Sequence, residues 1–164
     1  MAELKYLLDT STCIELLRGN EHVRQICVEH NQLCCISAIT AIELLYGAYN
    51  APVRYRQQEL AKARLLIDYY DIVGIDDIAD AFSREKVRLE SIGQAIEDFD
   101  LLIGITAREN SLAVVTHNTK HFSNRRLEDR GLDAVNGIKW WGKARAGSRG
   151  RGRGCRRGFP TLFR

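Results

Sequence analysis

Apolar residues fall in short runs separated by longer stretches with helical spacing. Leu4 to Leu8 is a short apolar run that stops at Asp9 and reads as a buried strand. Thr10-Ser11 offers a helix N-cap, Ile14, Leu16 and Leu17 follow, and Gly19-Asn20 ends the turn. Glu21 to Asn31 predicts a second helix with Val23, Ile26 and Cys27 inward. Leu33 to Ile36 predicts a strand, and Ser37 caps a helix carrying Ile39, Ile42, Leu45 and Tyr46. Pro52 suits the first turn of a long helix that runs to Tyr70. Asp71 to Ile75 predicts a third strand, and Asp76-Asp77 begins a helix with Ile78, Phe82 and Leu89 on one side, broken by Gly93. Asp98 to Asn110 is helical and almost wholly apolar from Leu101 to Ala107, so it is expected to be buried. Leu112 to Thr116 predicts a fourth strand and Asn136 to Lys139 a last short one.

Strands that alternate with helices, without a hairpin signal between two alternating runs, point to an α/β domain with a parallel sheet. The one Asn-Gly, at 136–137, comes at the end of the fold. The 164 residues suit one domain, and 45% hydrophobic with 27% charged residues is enough for an ordinary core. The longest uncharged apolar run, 101–107, is too short to cross a bilayer, and the N-terminus shows no secretory signal. A cytoplasmic protein without a membrane partner is expected.

The net charge of +3 hides an asymmetry. Residues 142–164 hold eight Lys or Arg and no acid, which leaves 16 basic against 21 acidic residues in 1–141 and a body of −5. The division expected is a folded unit over 1–141 and a basic Gly/Arg-rich tail over 142–164. The tail has too little apolar surface to offset its ordering entropy. The five cysteines (Cys13, Cys27, Cys34, Cys35, Cys155) are odd in number and form no CxxC, so reduced buried thiols are expected in place of a disulfide framework or a zinc site.

Three acids stand where apolar residues would be expected. Asp9 ends the first strand, and in a parallel α/β sheet such strand ends line the crevice where ligands bind. It would equally serve as a helix cap. Glu43 has Ile39 and Tyr46 as its helical neighbours, and a buried acid paired with Arg would fit there too. Asp100 opens the most apolar helix, where the helix dipole also favours an acid. Asp98 competes with it, and periodicity does not separate the two. Three partly desolvated carboxylates brought together would repel one another and hold their protons more tightly, and a divalent cation removes that penalty. Oxygen ligands without Cys or His suit Mg²⁺, or Mn²⁺, better than zinc. Such a site suits phosphodiester hydrolysis by a metal-activated water. The turn 116–122 adds Thr116 and Asn118 at the same edge to orient water. His117, Lys120 and His121 are candidates for contacts with substrate phosphates. A phosphoacceptor domain would want a DxD after the first strand, and this chain has Asp9-Thr10-Ser11.

Several segments, in order, resemble the PIN domain, specifically the VapC-type toxin ribonucleases of bacterial toxin–antitoxin pairs. They are Leu7-Leu8-Asp9-Thr10-Ser11, Ile36-Ser37-Ala38-Ile39, Glu43-Leu44-Leu45-Tyr46-Gly47, Gly93-Gln94-Ala95-Ile96, Asp100-Leu101-Leu102-Ile103, and Val115-Thr116-His117-Asn118 with Phe122 and Trp140 beyond. The likeness covers residues 5–140. It implies a three-layer sandwich with a central parallel sheet of four to five strands flanked by helices. It also implies an Mg²⁺-dependent endoribonuclease with Asp9, Glu43 and Asp100 as metal ligands, Asn118 as the fourth catalytic position, and Thr10 and Thr116 beside them orienting water. By that comparison Asp100 is preferred to Asp98. Asn118 stands where the family often has Asp, which lowers the charge of the site. The partners implied are RNA, a small VapB-like antitoxin, a second copy of the chain, and DNA only through the antitoxin. The rival reading is a catalytically weak PIN-like module that acts mainly by complex formation with a DNA-binding antitoxin.

Overall fold

The computed structural model describes residues 4–94, 96–116, 134–135 and 138–141. The elements run β1 (Tyr6–Leu8), α1 (Thr10–Leu17), α2 (Glu21–Glu29), β2 (Cys34–Ser37), α3 (Ala38–Tyr49), α4 (Val53–Tyr69), β3 (Asp71–Val73), α5 (Ala79–Ser91), α6 (Asp98–Glu109), β4 (Ala113–Thr116), β5 (Ala134–Val135) and β6 (Ile138–Trp141). A 3₁₀ turn, Asn31–Leu33, leads into β2.

The sheet has the order β3-β2-β1-β4-β6-β5. The first four strands are parallel, with Leu8 opposite Ile36 on one side and Val115 on the other. β3, at the edge of the sheet, leaves Ile72 half exposed, while β1, β2 and β4 are short and nearly continuously apolar, which suits strands covered on both faces. Alternation splits them between two layers. Leu8, Ile36 and Val115 face the cluster made with Cys13, Leu16, Val23, Cys27, Leu44 and Leu66 of α1 to α4. Leu7, Cys35 and Val114 face Ile39, Ile103 and Ala107. Burying each Leu, Ile or Val completely contributes about 1.5–3 kcal/mol. A third cluster, Ile78, Ala81, Leu89, Leu101 and Ile105, joins α5 to α6. This is the expected three-layer α/β architecture.

Several expectations are corrected. The last two strands are antiparallel: β6 runs against β4, and β5 against β6, with Val135 opposite Ile138. β5 and β6 therefore pair as a hairpin, and the strand expected over 136–139 is described from Ile138 to Trp141, with Asn136 and Gly137 outside the described residues. The helix expected from Asp76 begins at Ala79 instead, and Asp76-Asp77 form a turn ahead of it. Ile42 and Tyr46 are exposed, and α3 buries Ile39, Thr40, Leu44 and Ala48. Gly19 and Gly93 end α1 and α5 as expected. Both have positive φ (78° and 70°), which a side chain would strain. The basic tail, 142–164, lies outside the described residues. Among the described residues, no helix is long and apolar enough to cross a membrane.

Candidate functional site

Strand order reverses at β1, with β2 and β3 on one side and β4 on the other. Asp9 follows β1 and Thr116 ends β4, so the parallel register brings them together at the carboxyl edge. That edge, at the switch point, is where open α/β sheets take ligands.

Asp9 caps α1 with extended backbone, and its Oδ1 accepts from the Thr12 amide at 2.8 Å. The cap therefore stands one residue before the Thr10-Ser11 pair, whose hydroxyls serve two carboxylates. The Ser11 hydroxyl lies 2.9 Å from both Asp9 oxygens. The Thr116 hydroxyl donates to Oδ2 at 2.5 Å. Asp9 is 4% exposed. Burial raises its carboxyl above the ordinary value, and the bonds from Thr116, Thr12 and Ser11 only partly oppose this. Thr12, which periodicity does not single out, is fully buried, and its hydroxyl ties α1 to β4 by donating to the Val115 carbonyl at 2.9 Å.

Glu43 is half-buried on α3, where the Thr10 hydroxyl donates to its Oε2. Thr10 therefore links the Asp9 turn to Glu43. Partial burial raises the Glu43 carboxyl first of all. The Thr10 bond opposes the rise, and the charges of Asp100, Asp9 and Glu97 add to it. Glu97, just before α6, is a fourth acid near Glu43 that the apolar pattern did not mark. Its signal was an acid at the mouth of a buried helix. Asp98 and Asp100 diverge. Asp98 is held by Lys86 of α5 at 2.6 Å, while Asp100 is partly buried and acts on Glu43. His117, Asn118, Lys120 and His121 lie outside the described residues.

Neither Asp9 nor Glu43 forms an ion pair with any described Lys, Arg or His, and no cation contributes to either shift. Among the described residues, no three His, Cys, Asp or Glu side chains form a ready-made metal cage. The donor set still fits a hard cation. Mg²⁺ keeps several waters and needs only one or two carboxylates. The nearby Cys13 stays a thiol, because burial and then the Asp9 charge hold its pKa well above the ordinary value. The edge therefore offers carboxylate and hydroxyl oxygens whose negative charge no described residue compensates.

The profile of the PIN domain matches residues 6–126. The chain is 33% identical over 132 residues to the tRNA(fMet)-specific endonuclease VapC of Salmonella typhimurium, covering 77% of this chain and 98% of that protein. It is 31% identical over 121 residues to the protein of the same name from Shigella flexneri, covering 73% and 90%. The crystal structure of DNA-bound VapBC from Salmonella typhimurium is similar with a TM-score of 0.68 at 30% identity, over 74% of this chain and 92% of that one.

Proposed function

This chain belongs to the PIN-domain family, in its VapC branch, and on that premise we propose that it is the ribonuclease toxin of a toxin–antitoxin pair, hydrolysing RNA phosphodiester bonds with Mg²⁺ or Mn²⁺ at the carboxylate edge. The observation that carries the site is the union at one switch point of Asp9 and Glu43, both raised in pKa and without a counter-cation among the described residues. Asp9 and Glu43, with Asp100, would hold the ion.

When bound, the ion supplies positive charge and Lewis acidity against the scissile phosphate. Ser11 and Thr116 fix the plane of the Asp9 carboxylate, and the Thr12 amide prevents its rotation. Thr10 fixes one oxygen of Glu43 and leaves the other for water or ligand. Asn118, two residues past Thr116, orients water, and Lys120 and His121 meet substrate phosphates. The buried strand ends limit water on the core side, so these groups reorganise little during reaction. The reading includes a cytoplasmic homodimer inhibited by a small VapB-like antitoxin, with DNA reached only through that antitoxin.

The test uses the full-length protein freed of any partner and incubated with bacterial RNA. Cutting is expected with Mg²⁺ and absent with EDTA, and Asp9→Asn is expected to abolish it while the circular dichroism spectrum stays unchanged. Cutting that survives Asp9→Asn, or that proceeds in EDTA, overturns the site. A pure, folded protein that never cuts under these conditions supports instead the module that acts by complex formation.

A further inference from the structure

Resting on the ribonuclease reading above, we propose that the corner between the C-terminal half of α3 and the first turns of α4 holds a single-stranded RNA segment beside Glu43. Tyr46 and Tyr49 would stack on bases, and Arg54 and Arg56 would meet phosphates.

The first observation is an exposed stripe that packing does not explain. Ile42, Tyr46 and Tyr49 are spaced i, i+4 and i+7 on α3, and they are 53%, 71% and 55% exposed. Tyr46 stands about 4.5 Å and Tyr49 about 9 Å along the axis from Glu43 at 1.5 Å per residue. The aromatic rings therefore begin within one turn of a carboxylate of the site.

The second observation is Gly47, one turn beyond Glu43. A Cβ there would meet nothing within 4 Å, and its φ is not positive, so neither packing nor backbone conformation requires glycine. It leaves bare helix backbone beside the carboxylate, which is what close approach of a chain such as RNA needs.

The third observation is electrostatic. Among the described side chains, every Lys and Arg outside α4 except Lys5 has a carboxylate within ion-pair distance, as does Lys62 of α4 itself. Arg54, Arg56 and Arg64 of α4 do not. Arg54 lies over the ring of the exposed Tyr55, 4.6 Å from its centroid. The Nε of Arg56 is buried without a hydrogen-bond partner. On a body of net negative charge, Arg54 and Arg56, without a carboxylate partner among the described residues at the start of α4 and a few residues after Tyr46 and Tyr49, are the local exception. Aromatic faces with unpaired guanidinium groups suit single strands, because every base has a stacking face and every link a phosphate.

The test measures binding of a fluorescein-labelled single-stranded RNA oligonucleotide to the full-length protein in EDTA, by anisotropy over a series of salt concentrations. Tyr46→Ala and Tyr49→Ala are each expected to weaken binding about 5- to 100-fold, as loss of one stacked base does. Tyr46→Trp is expected to restore it. Arg54→Gln with Arg56→Gln is expected to lower the salt slope by about 1.4, at about 0.7 for each phosphate contact on a single strand. Gly47→Ala is expected to raise the melting temperature and yet weaken binding, which a purely structural glycine would not do. Unchanged affinity and slope in the Tyr and Arg variants overturn the proposal, and the ribonuclease reading then stands or falls on Asp9→Asn alone. If the parent binds through these residues but never cuts RNA, the corner stands and the ribonuclease reading falls. If the variants lose binding only because sedimentation shows a dimer becoming a monomer, the face joins two copies of the chain and the proposal is overturned.

Discussion

Asp9 is a buried carboxylate with three donor groups around it, the Ser11 and Thr116 hydroxyls and the Thr12 amide, and no cation among the described residues, and its protonation depends on how many of those donors remain. Thr116→Val keeps the volume but removes the donor at 2.5 Å, one of the influences that lower the Asp9 pKa. The carboxyl is then expected to titrate higher, moving the acid limb of the cleavage profile to higher pH and lowering activity at neutral pH about 10- to 100-fold. A pH–rate series on the variant and parent checks this, and coincident acid limbs would exclude the role. Glu43 makes the complementary case. Its folded pKa is raised above the ordinary 4.5. Its contribution to stability is therefore greatest below that value and is lost as pH rises through the folded pKa. Without metal, ionising Glu43 as pH rises works against the fold. Glu43→Gln, which keeps an acceptor for Thr10, is expected to melt in EDTA no lower than the parent and to lose the stabilisation that Mg²⁺ gives the parent. Thermal denaturation with and without Mg²⁺ reads both.

Helix α3 carries the element-scale argument. It begins at Ser37, a fully buried N-cap at the end of β2 whose Oγ accepts from the Thr40 amide at 2.9 Å. Ser37→Ala is expected to cost about 1–2 kcal/mol in urea unfolding, the usual range for losing an N-cap. Because Glu43 is reached through this first turn, the same variant is expected to lower cleavage as well. At the other half of the helix, Gly47 adds backbone freedom without packing, so Gly47→Ala is expected to stabilise the fold by about 0.5–1 kcal/mol. α3 also shows how far periodicity reaches. Its apolar residues outnumber the positions that its neighbours cover, so the pattern could not tell the buried Leu44 from the exposed Ile42 and Tyr46.

Across the whole molecule, the thiols report on the core. Cys13, Cys27, Cys34 and Cys35 are all free and buried. Burial pushes Cys27 and Cys35 up to about 12, the Asp71 charge adding to the rise at Cys35. A thiol reagent at mildly alkaline pH is expected to leave these four unmodified in the native protein and to modify them on unfolding in urea. Fast native labelling at any of them, read by peptide mass, would contradict the packing described. The two faces of the sheet make the same point, since Leu7 and Leu8 are adjacent in sequence yet belong to different clusters. Leu8→Ala, which opens the layer under α1 to α4, is expected to cost about 2–5 kcal/mol of unfolding free energy.

Short apolar runs separated by helical spacing were enough to establish the α/β class, the four parallel strands and the placing of Asp9 at a strand end, because each depends on local propensity and a period within the chain. The signal failed wherever the answer depended on a partner far along the sequence. Asp98 and Asp100 share a helical turn, and only the packing of α5 against α6 directs Asp98 to Lys86. The direction of the last strands depended on which neighbour they met, and β6 pairs antiparallel with β4. That Thr10 serves Glu43 while Thr116 serves Asp9 follows from joining residues 33 and 107 positions apart. Local chemistry could supply the groups for such contacts, but hydrogen bonding and charge act through space, so the fold alone decided which of them meet.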